Sequence, residues 1–148
     1  TSSLIYGVQW DLVLKFIETK KPEQKSDLTS DSTSIGNYSN NLWNITNANA
    51  RYSTNAGSSF TVCPYKKTEN ERVLLTTGAN TSFSLMNIYD IAGNVWEWTK
   101  ESCNTSNPCV GRGGSFFNDG SNYPAKNRYN NNTSHYGNRL GFRFGLWK

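Results

Sequence analysis

Hydrophobic and polar positions follow two periods along this chain, and each period marks an element. In "VQWDLVLKFIETKK" (8–21) the apolar residues Trp10, Val13, Leu14 and Ile17 recur at i, i+3, i+4 and i+7, which predicts an amphipathic helix. Lys20 and Lys21 suit the negative end of its dipole, and Pro22 stops it. The end of the chain has period two. Leu140, Phe142, Phe144 and Leu146 fall on one side of a strand, and Gly141, Arg143, Gly145 and Trp147 on the other. The apolar row is expected to anchor this strand in the fold, so that changes at Phe142 or Phe144 would damage folding. Directly before it, "RYNNNTSHYGNR" holds hardly an aliphatic residue.

The middle is less regular. Residues 23–60 are mostly Ser, Thr, Asn, Asp and Gly around an isolated Trp43, which reads as long irregular connection pinned by one aromatic. "RVLLTTG" predicts a short strand ending at Gly78, and "SLMNIYDIAGNVWEWTKE" a turn followed by a strand at "VWEW". "VGRGGSFF" places glycines in an extended segment, as happens where another backbone comes close. One helix, few strong strands and much ordered loop predict an α+β domain with a small antiparallel sheet.

Composition narrows this picture. A chain of 148 residues suits a single domain (1–148). Only 35% of it is hydrophobic but 14% is aromatic, so large rings must anchor a loop-rich fold. The net charge of +4 is scattered, with Lys20-Lys21 and Lys66-Lys67 as the only basic doublets, which argues against a nucleic-acid partner. No apolar window reaches the ~20 residues of a membrane span. The sequence opens at Thr1 on the apolar "LIYGVQW", with nothing before it to pack against. Cys103 and Cys109 in "CNTSNPC" could close a short loop or stay as free thiols, and Cys63 is left over.

Three segments in order, "NIYDIAGNVWEWT" (87–99), "GRGGSFF" (111–117) and "LGFRFGLW" (140–147), resemble the formylglycine-generating-enzyme or sulfatase-modifying-factor family. Its domain is a variant of the C-type lectin fold, with small antiparallel sheets, few helices and long ordered loops. The first helix resembles the family's "PTEAEWEYAAR" helix, with Trp10 and Asp11 at the Trp-Glu. Family members carry a strand and helix region before that helix. The resemblance therefore implies a missing N-terminal region, either because the sequence is a piece of a longer one or because that region is a separate or cleaved chain, and an open edge beside the closing strand. In the oxidase members two cysteines after "RGGS" hold copper; the matching positions are Asn118 and Tyr123, neither a soft ligand. Iron-dependent relatives need several histidines, and the chain has only His135. No catalytic residue and no required cofactor are expected.

A second branch is closer in character. Variable proteins of diversity-generating retroelements use this lectin-like domain, and adenine-directed mutagenesis rewrites Asn codons between "RGGS" and "GFR" into Asn, Ser, Tyr, His, Asp and Gly. Residues 115–139 consist largely of that set. The resemblance implies a non-enzymatic domain on a cell or virion surface, binding a protein or glycan receptor. Its contact residues would be Phe117, Asn118, Asp119, Asn122, Tyr123, Asn127, Tyr129, Asn130, Asn131, Asn132, Ser134, His135 and Tyr136. Tyr supplies rigid amphipathic area and Asn and Ser adaptable hydrogen bonds, as in antibody paratopes. The competing readings are an enzyme of the same family and a static adhesin module. The enzyme family also binds a structural calcium at positions matching the Asp90 and Glu97 carboxylates and the Gly93 and Val95 carbonyls. Alternatively, Asp90 caps its turn and Glu97 pairs with an arginine. Trp96 and Trp98 are expected in the core.

Overall fold

The stripe Trp10, Leu14 and Ile17 is buried on α1 (Gly7–Lys20) in the computed structural model, which describes residues 2–146. The helix starts where Gln9 Oε1 accepts a hydrogen bond from the Tyr6 N–H at 2.7 Å, satisfying one donor ahead of the first turn. Pro22 ends it and opens a short 3₁₀ turn (Pro22–Gln24) that leads into α2 (Lys25–Thr29). Val8, Leu12 and Phe16, on the other side of α1, are exposed.

Short strands make up the rest. They are β1 (Ser2–Leu4), β2 (Trp43–Ile45), β3 (Arg51–Ser53), β4 (Thr61–Val62), β5 (Tyr65–Lys67), β6 (Leu74–Leu75) and β7 (Ser84–Leu85). β8 (Ile88–Tyr89), β9 (Trp96–Thr99), β10 (Cys109–Arg112), β11 (Arg128–Asn131), β12 (Leu140–Phe142) and β13 (Phe144–Leu146) follow. The largest sheet has the order β11-β10-β9-β12. Its pairings are antiparallel except the last, in which β12 runs parallel to β9 with Leu140 opposite Trp96. The remaining pairings are all antiparallel, so the small-sheet α+β architecture holds.

Two apolar clusters fill the interior. One joins α1 and α2 to Ile35, Tyr38, Leu85, Ile91 and Ala125. The other gathers Ile45, Cys63, Val73, Leu75 and Phe83 around Trp43, the aromatic expected to pin this region. Buried amides join the two halves. Asn37 Nδ2 donates to the Val73 carbonyl (2.7 Å) and to Asn94 Oδ1 (3.1 Å), while Asn37 Oδ1 accepts from Trp43 Nε1 (3.1 Å). Asn94 completes the set by donating to the Leu75 carbonyl and accepting from the Leu75 N–H. Buried amides placed this way need every partner, because an unpaired one costs about 1–3 kcal/mol.

The closing segment differs from expectation in two ways. Beyond the half-buried Leu140 its apolar row faces solvent: Phe142 is 66% exposed, Phe144 56% and Leu146 74%. The inward positions are the small and ionic ones. A Cβ on Gly141 would lie 2.8 Å from Val95 Cγ2, and the Arg143 guanidinium binds Glu97 through two contacts of 2.7 Å. The alternation was correct and its phase inverted, because the ion pair and the tight glycine contact fix which side turns in. Trp147, on that second side, lies outside the described residues. The expected open edge is also corrected, since β1 pairs with β13 from Ser2↔Leu146 to Leu4↔Phe144.

Candidate functional site

The loop between β10 and β11 is held by its backbone. Trp10 Nε1 donates to the Ala125 carbonyl at 3.0 Å, and the Tyr38 hydroxyl lies 2.9 Å from both the Gly113 and Tyr123 carbonyls. Ser32 Oγ accepts from the Ala125 N–H (2.8 Å) and Asn40 Oδ1 from the Gly120 N–H (3.1 Å). Arg112, fully buried, donates through Nε to the Asn127 carbonyl and through Nη2 to that of Lys126. The same guanidinium pairs with Asp11 and Glu101, and Arg128 pairs with both carboxylates, closing a four-membered ring of charge between α1 and the sheet. Gly114 has φ +82°, and a Cβ there would meet the Tyr123 carbonyl oxygen at 2.6 Å. No larger residue fits that approach.

Phe116 and Ala125 of this loop turn inward, while Asn118 and Tyr123 turn toward a pocket of about 200 Å³. It is lined by Trp96, Asn118, Tyr123, Tyr129, His135, Tyr136 and the segment Gly137–Leu140. Trp96 on β9 and Tyr129 on β11 stack across β10, with ring centroids 5.1 Å apart, because Gly111 between them carries no side chain. Tyr123 meets the Trp96 ring edge-on, and His135 lies edge-on to Tyr129 and Trp98. Trp96 is buried as expected and also forms a wall of the pocket, whereas Trp98 is only half-buried. A larger concavity, about 760 Å³, runs between α2 and Trp43, but it is an open polar trough whose Asp31, Thr33, Asn40 and Asn41 already bond one another or nearby backbone.

None of the thirteen expected contact residues is buried, but they divide by role. Tyr123, Tyr129, His135 and Tyr136 line the pocket, and Tyr136 is 90% exposed. Asn122, Asn130, Asn132 and Ser134 are exposed beyond it, and Asn131 is half-buried. Several side chains serve the loop itself. Asn118 Oδ1 accepts from the Ser115 N–H and hydroxyl, the Asp119 carboxylate accepts from Ser39 Oγ, and Asn132 Oδ1 accepts from the Ser134 N–H. Asn127 contributes its carbonyl to Arg112. Phe117 packs edge-on to Phe116 and lies under two guanidiniums, Arg72 at 4.6 Å and Arg139 at 4.9 Å from its ring centroid. The sequence reading missed Trp96, Arg139 and Arg72. Arg139 closes the Asn/Tyr tract and could have been found there; Arg72 arrives from the other half of the chain and could not.

A family model described as a sulfatase-modifying factor enzyme 1-like domain matches residues 25–145. The chain belongs to this family. The match runs from α2 into β13, so the α1 stripe compared above with a family helix lies outside it. No curated protein and no solved structure matches the chain.

In this sulfatase-modifying-factor-like domain, the positions that the resemblance aligns with the oxidase cysteines, Asn118 and Tyr123, both line the pocket. They offer a carboxamide already held by Ser115 and a phenol, which do not fit a soft copper ion. The thiols are elsewhere: Cys63 is buried in the second cluster, and Cys103 and Cys109 are unbonded near the start of β10. The calcium set fits no better. Both Glu97 oxygens bind Arg143, and Asp90 Oδ2 accepts from the Gly78 N–H at 2.9 Å. A guanidinium at the carboxylate repels a dication, so the arginine pairing and turn cap account for these residues. Burial pushes the Asp90 and Glu97 carboxyls above their usual range, with Arg143 pulling the other way. Among the described residues no cluster of three or more His, Cys, Asp or Glu could hold a metal ion. No described helix is long and apolar enough to cross a membrane.

Proposed function

We propose that this domain is a non-enzymatic binding module of C-type lectin-like fold, a diversity-generating retroelement variable protein that displays residues 115–139 to a receptor from a cell or virion surface. One observation carries the reading: scaffold side chains from Trp10, Ser32, Tyr38, Asn40 and Arg112 hold the loop by its main-chain atoms. The exposed loop side chains, such as Asn122 and Tyr123, are therefore free to change without unmaking the anchors. That division of labour is what a surface rewritten codon by codon requires, and an adaptable Tyr/Asn/Ser display suits protein recognition. Oxidase chemistry of the enzyme members is disfavoured by the residues in the pocket, where a carboxamide and a phenol stand in place of thiols.

The flanking DNA tests the origin. The expected finding is a nearby reverse transcriptase gene and an imperfect repeat of the codons for 112–143 that differs only at adenines. Absence of both removes the retroelement origin and leaves a static binding domain. Purified protein that converts a cysteine-containing substrate peptide to formylglycine would restore the enzyme reading.

A further inference from the structure

The pocket carries a charge that its aromatic walls do not need. Arg112, Arg128 and Arg143 each pair with a carboxylate, whereas among the described residues neither Arg72 nor Arg139 makes an ion pair. Both guanidiniums instead lie over the Phe117 ring, and both residues are exposed. A guanidinium placed over a ring face by a cation–π contact keeps its N–H donors available for another acceptor. Asp119, a carboxylate two residues from Phe117, is engaged by Ser39 Oγ at 2.8 Å and not by either arginine. Arg139 also lines the pocket, beside Tyr129 and Tyr136.

Resting on the binding reading above, we propose that this pocket accepts an acidic side chain, Asp or Glu, protruding from a partner protein, with Arg139 as its carboxylate receptor. Three properties select that occupant. The Arg139 guanidinium, held over the Phe117 ring and without an ion-pair partner among the described residues, offers a fork of N–H donors that matches the two oxygens of a carboxylate, and charge-assisted pairs of this kind are about twice as strong as neutral ones. The aromatic walls would accept the methylene stem, while the two guanidiniums repel the ammonium groups that such walls could otherwise hold. The volume, about 200 Å³, is below the roughly 300–1,000 Å³ of small-molecule sites and suits one anchoring side chain. Arg72 strengthens the positive field from the far side of the chain without lining the pocket.

A random-peptide display library panned on the immobilised domain supplies the test, followed by the same selection on Arg139→Gln and on Lys20→Gln as a charge-matched control. The expected result is enrichment of peptides with Asp or Glu at a shared position. Their affinity should fall roughly tenfold or more when that residue becomes Gln or Asn, or when Arg139 becomes Gln. Arg139→Lys should recover only part of it, because an ammonium lacks the fork. Lys20→Gln should change nothing. A matching thermal melt for Arg139→Gln confirms that the fold is intact. Enriched peptides without a shared acid would overturn the acidic occupant and leave the binding surface standing. No enrichment over an unrelated protein would remove both. A glycan array in which uronic or sialic acid glycans bind through Arg139, while peptides do not, would overturn the protein partner.

Discussion

The tract from Ser115 to Arg139 presents Tyr, Asn and His to solvent, and the strands after it present Phe142, Phe144 and Leu146. Polarity differs sharply between the two regions while exposure does not. In the loop, the inward work is done by main-chain atoms that Trp10, Tyr38 and Arg112 bind, together with the buried Phe116 and Ala125 side chains. In the closing strands it is done by a glycine against Val95 and by an ion pair between Arg143 and Glu97. What fixes each segment is the inward contact, and the outward side chain is left free in both.

Substitutions can break this comparison, beginning with the largest effect. Arg143→Ala strands the Glu97 carboxylate, whose side chain is only 9% exposed, and should cost about 3–5 kcal/mol in urea unfolding at neutral pH. The sign with pH follows from Glu97. Burial already raises its carboxyl, and losing Arg143 raises it further, so the folded variant binds a proton that the unfolded chain releases. Stability of the variant relative to the parent should therefore recover as the pH falls toward the ordinary carboxylate range. A constant deficit across that range would count against the stranded carboxylate as the cause. Next, Gly141→Ala forces a Cβ to 2.8 Å from Val95 Cγ2 and should cost about 1–3 kcal/mol, unless Val95 yields, which the melt would reveal as no change. Smallest of all, Phe142→Ser and Tyr136→Ala should each move stability by no more than about 0.5 kcal/mol, since both rings are mostly in solvent. A large loss at Phe142 would return the apolar row to the core.

Much of this was legible in the sequence. The α1 stripe declared its period, Trp43 stood out as an anchor, and the Asn/Tyr tract announced a displayed surface that the fold leaves unburied. The phase of the closing strand was not legible. A period of two says which residues share a side, never which side faces in, and the deciding partner, Glu97, lies on another strand. The pocket was half legible for the same reason. Tyr129, His135 and Tyr136 belong to one tract, whereas Trp96 reaches Tyr129 across β10, and Arg72 comes from the other half of the chain to Phe117 beside the pocket. The amide network of Asn37 and Asn94 likewise joins residues whose neighbours in the chain give no hint of the other.

The shared hydroxyl of Tyr38 has a thermodynamic consequence. By bridging the Gly113 and Tyr123 carbonyls it ties the start of the tract to a point further along it, so the first part of the proposed binding surface is ordered in advance. A partner arriving there does not have to freeze the chain, so less of the contact energy is lost to conformational entropy. Under the variable-protein reading proposed above, successive versions of the surface would meet partners at similar rates and differ mainly in how long they stay bound.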